Sequence, residues 1–404
     1  MRLRLIVLAV GNFAMGVDTF VIAPILGPLA RDLGVARTTA GWLITAFALA
    51  YALGGPLLAA AFGNRAPRRI LLGSLLVFAV GNALTAVAVD YPWAMAGRVV
   101  AGAGASMYTA NALAVARAIS PEERRGRATA FVVGGLTTAI VLGLPLGAWL
   151  GANSGWRAAL WLVAGLGLVA VAGVALAVPT LPGQPRTTLR VRLAPLSDVR
   201  VVATLAATLL CLTMSWTVYN YVDQVMRPAT GGDSGRASLI LLCFGIGAVG
   251  GNLLVGRLTD RYGAGRIIVW VAPLLTVAVT VVPLLATSMA SAVVLVLCWG
   301  MLHWMVNVPQ QIRVTAAAPQ SAPLVIGLHQ STIYIGISAG GAIGALGFSL
   351  GGRSGIGYAA LCVGLVALGV LVVSFRLDRR GRLAAGIAPG SARPAGRPTT
   401  GAPR

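Results

Sequence analysis

The chain has 404 residues, 57% hydrophobic and only 10% charged, with a mean hydropathy of +0.86. A soluble domain carries about 25% charged residues, so this chain has too little polar surface for water and belongs in a bilayer. Its net charge of +21 comes from 31 basic residues, all arginine; these fall in short turns rather than on one soluble face, which excludes nucleic acid as the partner.

A spanning helix needs about 20 mainly apolar residues. Twelve such runs follow one another, at 5–27, 41–62, 70–89, 93–118, 129–151, 158–179, 201–225, 237–257, 266–285, 291–315, 324–349 and 357–375. The first carries Asp18, roughly 13 Å below its outer end at about 1.5 Å per residue. The turn after the second reads AFGNRAPRR (Ala61–Arg69). Run 4 carries Arg98 at a depth similar to that of Asp18, and the two can pair. Run 5 contains GLPLG, with Gly143, Pro145 and Gly147. A proline-rich basic stretch then separates two sets of six. Run 7 places Trp216, Asn220 and Asp223 on one stripe, Asp223 near the outer interface. GRLTDRYGAGR (Gly256–Arg266) joins runs 8 and 9, and run 10 carries His303, Asn307 and Gln310 at helical spacing, a polar stripe for water or substrate or, alternatively, interhelical glue. His329 in run 11 shares the angular position of Gly336, Gly340 and Gly344, and so faces a packing interface. The expected organisation is an all-α integral membrane protein of two pseudo-symmetric six-helix bundles, 1–179 and 201–375, with a linker at 180–200 and a low-complexity, disordered tail at 376–404.

Arginine placement sets the orientation. With the N-terminus inside, only Arg31, Arg37, Arg157, Arg227, Arg236 and Arg353 lie outside and Arg98 lies within a run. This positive-inside bias puts both termini in the cytoplasm. The absence of lysine and the Ala/Gly/Pro bias fit a GC-rich bacterial genome, hence an inner-membrane protein. The four cysteines, Cys211, Cys243, Cys298 and Cys362, lie in apolar runs without metal or redox spacing and read as packing residues.

The halves repeat. GGPLLAAAFGNR (from Gly54) aligns without gaps on GGNLLVGRLTDR (from Gly250) at an offset of 196, bringing Asn64-Arg65 onto Asp260-Arg261. The double G-x-x-x-G stripes of Gly143/Gly147/Gly151 and Gly336/Gly340/Gly344 repeat at 193. Duplicated halves of this kind are a transporter architecture.

Together these residues resemble the major facilitator superfamily over nearly the whole chain. Gly256, Asp260, Arg261, Gly263 and Arg266 are similar to its loop signature between the second and third helices of a half. Arg98 with Gly102 and Gly104 resembles the helix 4 signature of its drug/proton antiporters, and GLPLGAWLGANSGWR (Gly143–Arg157) their helix 5 signature. GVDTFVIAPILGPLARDLGV and LHQSTIYIGISAGGAIGALG look like helices 1 and 11 of the twelve-span, arabinose-efflux-permease-like branch. The resemblance implies a central cavity lined by helices 1, 4, 7 and 10, which puts Asp18 and Arg98 beside the substrate. It also implies a conformational latch at the loop signature and a seal against proton leak at the glycine-proline region.

A charge at mid-membrane costs roughly 2.5–3.5 kcal/mol on insertion scales, so each one is a site candidate. Asp18 is the proton-coupling candidate, with Arg98 as partner and His303 and His329 as further titratable groups. Tyr108, Trp216, Tyr219, Asn220, Trp304, Asn307, Gln310 and Tyr334 are the candidate cavity residues; aromatic walls suit flat amphipathic molecules, though sugars stack on them too. In the loop signature, Asp260 can cap the next helix or meet a helix dipole, Gly256 admits a close helix, and Gly263 permits a tight turn. Arg261 and Arg266 can anchor to anionic lipid or to carboxylates. The N-terminal copy has Asn64 for the acid and Pro67 for the glycine, so Asn64-Arg65 offers no ionic lock. The alternative reading of both turns is a basic topogenic loop.

No G-x-x-x-x-G-K-[ST] loop is present, so ATP does not drive this chain directly. No Ser/His/Asp or metal-ligand constellation supports an enzyme, and no cofactor is expected. The expected function is a proton-coupled exporter of small amphipathic molecules, working as a monomer in the bilayer with protons and a small-molecule substrate as partners. The rival cargoes are sugars, nucleosides or amino-acid derivatives; a rival of another class is a transporter-like sensor that moves nothing.

Overall fold

A computed structural model describes residues 2–183 and 188–384, in which helices account for all regular structure. The first half contains α1 (Arg2–Asp32), α2 (Arg37–Phe62), α3 (Pro67–Ala86) and α4 (Tyr91–Ala118). Its last two spans are α5, built from Arg125–Thr138, Ala139–Gly143 and Leu144–Asn153, and α6 (Trp156–Ala177). The second half contains α7 (Val199–Tyr219, extended after a bend by Val222–Thr230), α8 (Ser234–Tyr262), α9 (Ala264–Leu285) and α10 (Met289–Trp304 and Asn307–Ala317). One helical stretch, Ala322–Ala384, is broken at Gly351 and Gly352, the latter at φ +56°, giving α11 (322–350) and α12 (353–384). That makes twelve spans among the described residues, as the hydropathy pattern predicts.

Local chemistry sets the ends and breaks. Asp90, Asp198, Asp233 and Ser288 cap α4, α7, α8 and α10 by accepting from backbone N–H groups in the first turn. In α5 the ring of Pro145 removes a donor and crowds the carbonyl four residues earlier; the helix absorbs this as a π-helical turn over Ala139–Gly143. In α10 Pro309 does the same to Met305, where the helix breaks. The linker is not structureless: Leu189–Leu193 and Ala194–Ser197 are helical, and Arg192 donates to the Ala59 carbonyl at the end of α2. Nor is the expected tail disordered from 376, because α12 runs on to Ala384. Residues 385–404 lie outside the described residues.

The two halves pack alike. Gly143, Gly147 and Gly151 of α5 meet Val17, Val21 and Ile25 of α1, while Gly336, Gly340 and Gly344 of α11 lie on the backbone of α7. A Cβ at Gly340 would stand 2.7 Å from that of Trp216, so only glycine permits this approach. The seam between the halves runs from the bilayer centre toward the face opposite the termini. There α2 meets α11 through the stacked rings of Tyr51 and Tyr334 (centroids 3.5 Å apart, planes at 18°) and through Ser331 donating to the Ala52 carbonyl at 3.0 Å. Phe20 of α1 packs on Trp216 and Tyr219 of α7, and Gly245 of α8 fits under Ile140 in the α5 π-turn. At the far face Arg37 of α2 forms an ion pair with Asp223 of the α7 extension. No comparable packing joins the termini-side ends of α4 and α5 to those of α10 and α11 among the described residues.

Candidate functional site

The first half holds its buried charge in one place. Asp18 of α1 and Arg98 of α4 are 0% and 1% exposed, and Arg98 Nη1 donates to Asp18 Oδ1 at 2.7 Å. The same nitrogen reaches Asn82 Oδ1 of α3 at 3.3 Å, and the guanidinium lies 4.3 Å from the centroid of the Phe47 ring of α2. Four helices thus converge on one cation. Burying such a pair costs solvation that is recovered only where the remaining polar atoms are satisfied. Here they are not: Asp18 Oδ2 and Arg98 Nε are buried with no partner among the described residues. Asp18 Oδ2 is therefore the free oxygen of the pair. The sequence brings out Asp18 and Arg98; it misses Asn82 and Phe47, whose only signal is a lone amide in run 3 and a ring one turn from Tyr51.

Across the seam, α7 and α10 supply an aromatic wall around a serine. Ser215 Oγ accepts from Trp299 Nε1 at 2.7 Å and bonds His303 Nδ1 at 2.8 Å. His303 stands edge-on to Trp216 and Trp304, and Trp216 stands edge-on to Tyr219. Phe20, two residues beyond Asp18, stacks on Trp216 at 5.7 Å and so links the wall to the ion pair. Four polar atoms of this region, Trp216 Nε1, Tyr219 OH, Trp304 Nε1 and Asn307 Oδ1, are buried without a partner among the described residues.

Other residues expected on the cavity wall are structural ties. The hydroxyl of Tyr108 donates to the Leu8 carbonyl at 3.0 Å, clamping α4 to α1, and its side chain is fully buried. Asn220 donates to the Ile337 carbonyl at 3.0 Å, holding the α7 bend against α11. Gln310 donates to Thr208 Oγ1 at 3.0 Å and accepts from Arg313 at 2.9 Å. Tyr334 spends its face on Tyr51 in the seam. His329 is buried, with Nδ1 unpartnered, on the side of α11 that carries the glycine stripe. Arg313 centres a second buried charge cluster not foreseen from the sequence: it donates to Ser374 and Asp378 of α12 at 2.7 and 2.8 Å and lies 4.0 Å from the Phe375 ring centroid.

The two related turns differ as their sequences do. Gly263 takes φ +85° and opens α9, the tight turn expected of it. Asp260, however, sits exposed in the last turn of α8, does not cap α9, and has no ion pair among the described residues. Gly256 faces open space rather than a helix. Arg261 lies 5.2 Å from the Tyr262 ring centroid, and Arg266 is exposed. In the first half the linker covers the turn: Gly183 passes directly over the Asn64 carbonyl, and Arg65 lies over Phe62.

No cluster of three or more His, Cys, Asp or Glu able to hold a metal occurs among the described residues. The arrangement is a buried ion pair on one side of a seam and an aromatic wall with unpartnered polar atoms on the other.

Comparison with known proteins points the same way. The family model described as Major Facilitator Superfamily matches residues 8–341 and 208–395. The chain is 34% identical to a chloramphenicol resistance protein of Streptomyces lividans, over 92% of this chain and 95% of that one. It is 29% identical to the inner membrane transport protein YdhP of Escherichia coli K12, over 93% and 96%. A bacterial homologue of the human lysosomal transporter Spinster, solved inward-facing and unoccupied, shares the fold with a TM-score of 0.72 at 14% identity, covering 96% of this chain and 98% of that one. Twelve helices in two like halves, a seam between them and these relatives place the chain in the major facilitator superfamily, as a multi-pass membrane transporter and not an enzyme.

Proposed function

We propose that this transporter exports small amphipathic molecules in exchange for protons, by alternating access. The observation that carries the reading is the Asp18–Arg98 pair, fully buried and with one carboxylate oxygen free. A proton on Asp18 cancels its charge and loosens Arg98; a substrate group then competes for the guanidinium and for Trp216, Tyr219, Trp304 and Asn307 across the seam. Loss of the proton restores the pair and expels the competitor. The relative named for chloramphenicol resistance supports outward transport of a small aromatic amphiphile.

In this reading the termini-bearing face is cytoplasmic in a bacterial inner membrane, consistent with the arginine-rich turns on that side. Residues 1–179 and 201–375 rock as two units about the seam, and one chain suffices. Closure by Arg37–Asp223 and Tyr51–Tyr334 makes the conformation inward-open. The turn at Gly256–Arg266, exposed and unpaired here, engages only when that face closes. Asn64, covered by the linker, gives the first half a fixed turn.

The test is accumulation of a radiolabelled panel (chloramphenicol, other aromatic antibiotics, sugars, nucleosides) in cells expressing the chain. Lower steady-state accumulation of the aromatic compounds, restored by a protonophore, is the expected result. Depletion of sugars or nucleosides alone would replace the cargo class, and no flux of any compound would favour a sensor.

A further inference from the structure

The lateral surface of the second half carries a feature that lies apart from the Asp18–Arg98 pair and the aromatic wall. Between α8, α9 and α10 an apolar groove of about 720 Å³ opens sideways, walled by Leu258, Trp270, Leu274 and Met301 with Tyr262 and Arg266 at its mouth. Trp270 is 68% exposed. The corresponding seam of the first half is sealed: the backbone of α4 presses on that of α3 at Gly81 and Gly104, where an added Cβ would stand 2.2 Å from Ala101 N and 2.4 Å from Phe78 N. The linker covers the turn at that end of α2, whereas Gly256 and Gly263 at the end of α8 face open space. What packing fills in one half is left open in the other.

The mouth is charged. Arg266 lines it directly, Arg261 lies over the ring of the lining residue Tyr262, and Arg257 and the one acid, Asp260, are on the last two turns of α8. From Arg266 to Leu274 the groove wall descends roughly 12 Å along α9, close to the depth of one leaflet of a hydrocarbon core about 30 Å thick. A cationic mouth over an apolar slot one leaflet deep matches a lipid with a negative headgroup. We propose that the groove is a binding site for one anionic phospholipid, its phosphate on Arg266 and Arg261 and its chains along Leu258, Trp270, Leu274 and Met301. A zwitterionic lipid supplies the chains but gains less from three arginines set against one carboxylate.

Trp270 reports occupancy directly. The full chain is reconstituted in phosphatidylcholine nanodiscs containing brominated-acyl phosphatidylglycerol or brominated-acyl phosphatidylethanolamine, and the Trp270 component of fluorescence is taken as the difference from Trp270→Phe. Phosphatidylglycerol is expected to quench that component at a several-fold lower mole fraction than phosphatidylethanolamine. Arg266→Gln should weaken the phosphatidylglycerol curve by about five-fold, the effect of one arginine near a charged surface, and leave the phosphatidylethanolamine curve in place. Arg266→Lys, which keeps the charge, should retain most of the binding and so separates charge from a folding defect. Equal quenching by the two lipids would mean ordinary boundary lipid and overturn the site, as would a phosphatidylglycerol curve that Arg266→Gln does not move.

Discussion

Asp18 and Arg98 are the residues on which the account turns. Asp18→Asn keeps the shape of the carboxylate and a hydrogen bond to Arg98 but cannot carry a proton; substrate binding should persist while proton movement is lost. Arg98→Gln is the harsher change, since breaking a buried pair by removing one partner costs about 3–5 kcal/mol. It should lower the melting temperature of the purified protein well below that of Asp18→Asn. Both residues are legible in the sequence because ionisable groups inside apolar runs are few. Asn82 and Ser215 are not, since small polar side chains barely alter hydropathy and their partners lie on other helices. The tie made by Tyr108 is hidden for a related reason: a ring in run 4 does not reveal that its hydroxyl donates to the Leu8 carbonyl. Asp378 follows the last apolar run and looks like tail, yet it pairs with Arg313 from 65 positions away. Asp198, at the start of α7 and outside the span, is held below the ordinary carboxylate value of 3.8 by its hydrogen bond from Arg200. Its stabilising contribution is therefore full above that value and lost as pH falls through the lowered one. Asp198→Asn should cost more stability at pH 7 than under acid conditions below the lowered value, read as thermal melts in detergent across a pH series.

At the scale of elements, the glycine stripes are visible in the sequence but their partners are not. Periodicity gives the face of α5 and α11; that these faces meet α1 and α7 depends on the bundle. Gly340→Val should destabilise more than Gly147→Ala. The first forces a branched side chain onto the α7 backbone near Thr217, while the second meets only the end of the Val21 side chain. Overpacking of this kind costs typically about 1–3 kcal/mol, measurable as lost melting temperature. Pro145 and Pro309 are equally plain in the sequence, yet each run reads there as one uninterrupted span. Hydropathy counts apolar residues and says nothing about where a missing N–H releases a turn. Pro145→Ala should restore regular α-helical bonding across the π-turn and stiffen α5, slowing transport without unfolding the protein. Turnover measured beside an unchanged melting temperature would show it.

For the whole molecule, the duplicated halves follow from the offsets of 196 and 193 residues, whereas the closed side of the seam does not. A transporter sequence encodes more than one arrangement, and only the structure selects the one joined by Arg37–Asp223. Asp223→Asn should loosen that face. Spin labels at Ala36→Cys and Arg236→Cys, on opposite halves there, should show a longer distance population in the variant than in the parent. The most direct test of the central claim is proton movement triggered by substrate in proteoliposomes, measured for the parent chain and for Asp18→Asn with the compound that cells expel. The account predicts a proton signal in the parent that disappears in the variant while the compound still binds. A signal of equal size in Asp18→Asn would contradict it and move the coupling away from the α1–α4 pair.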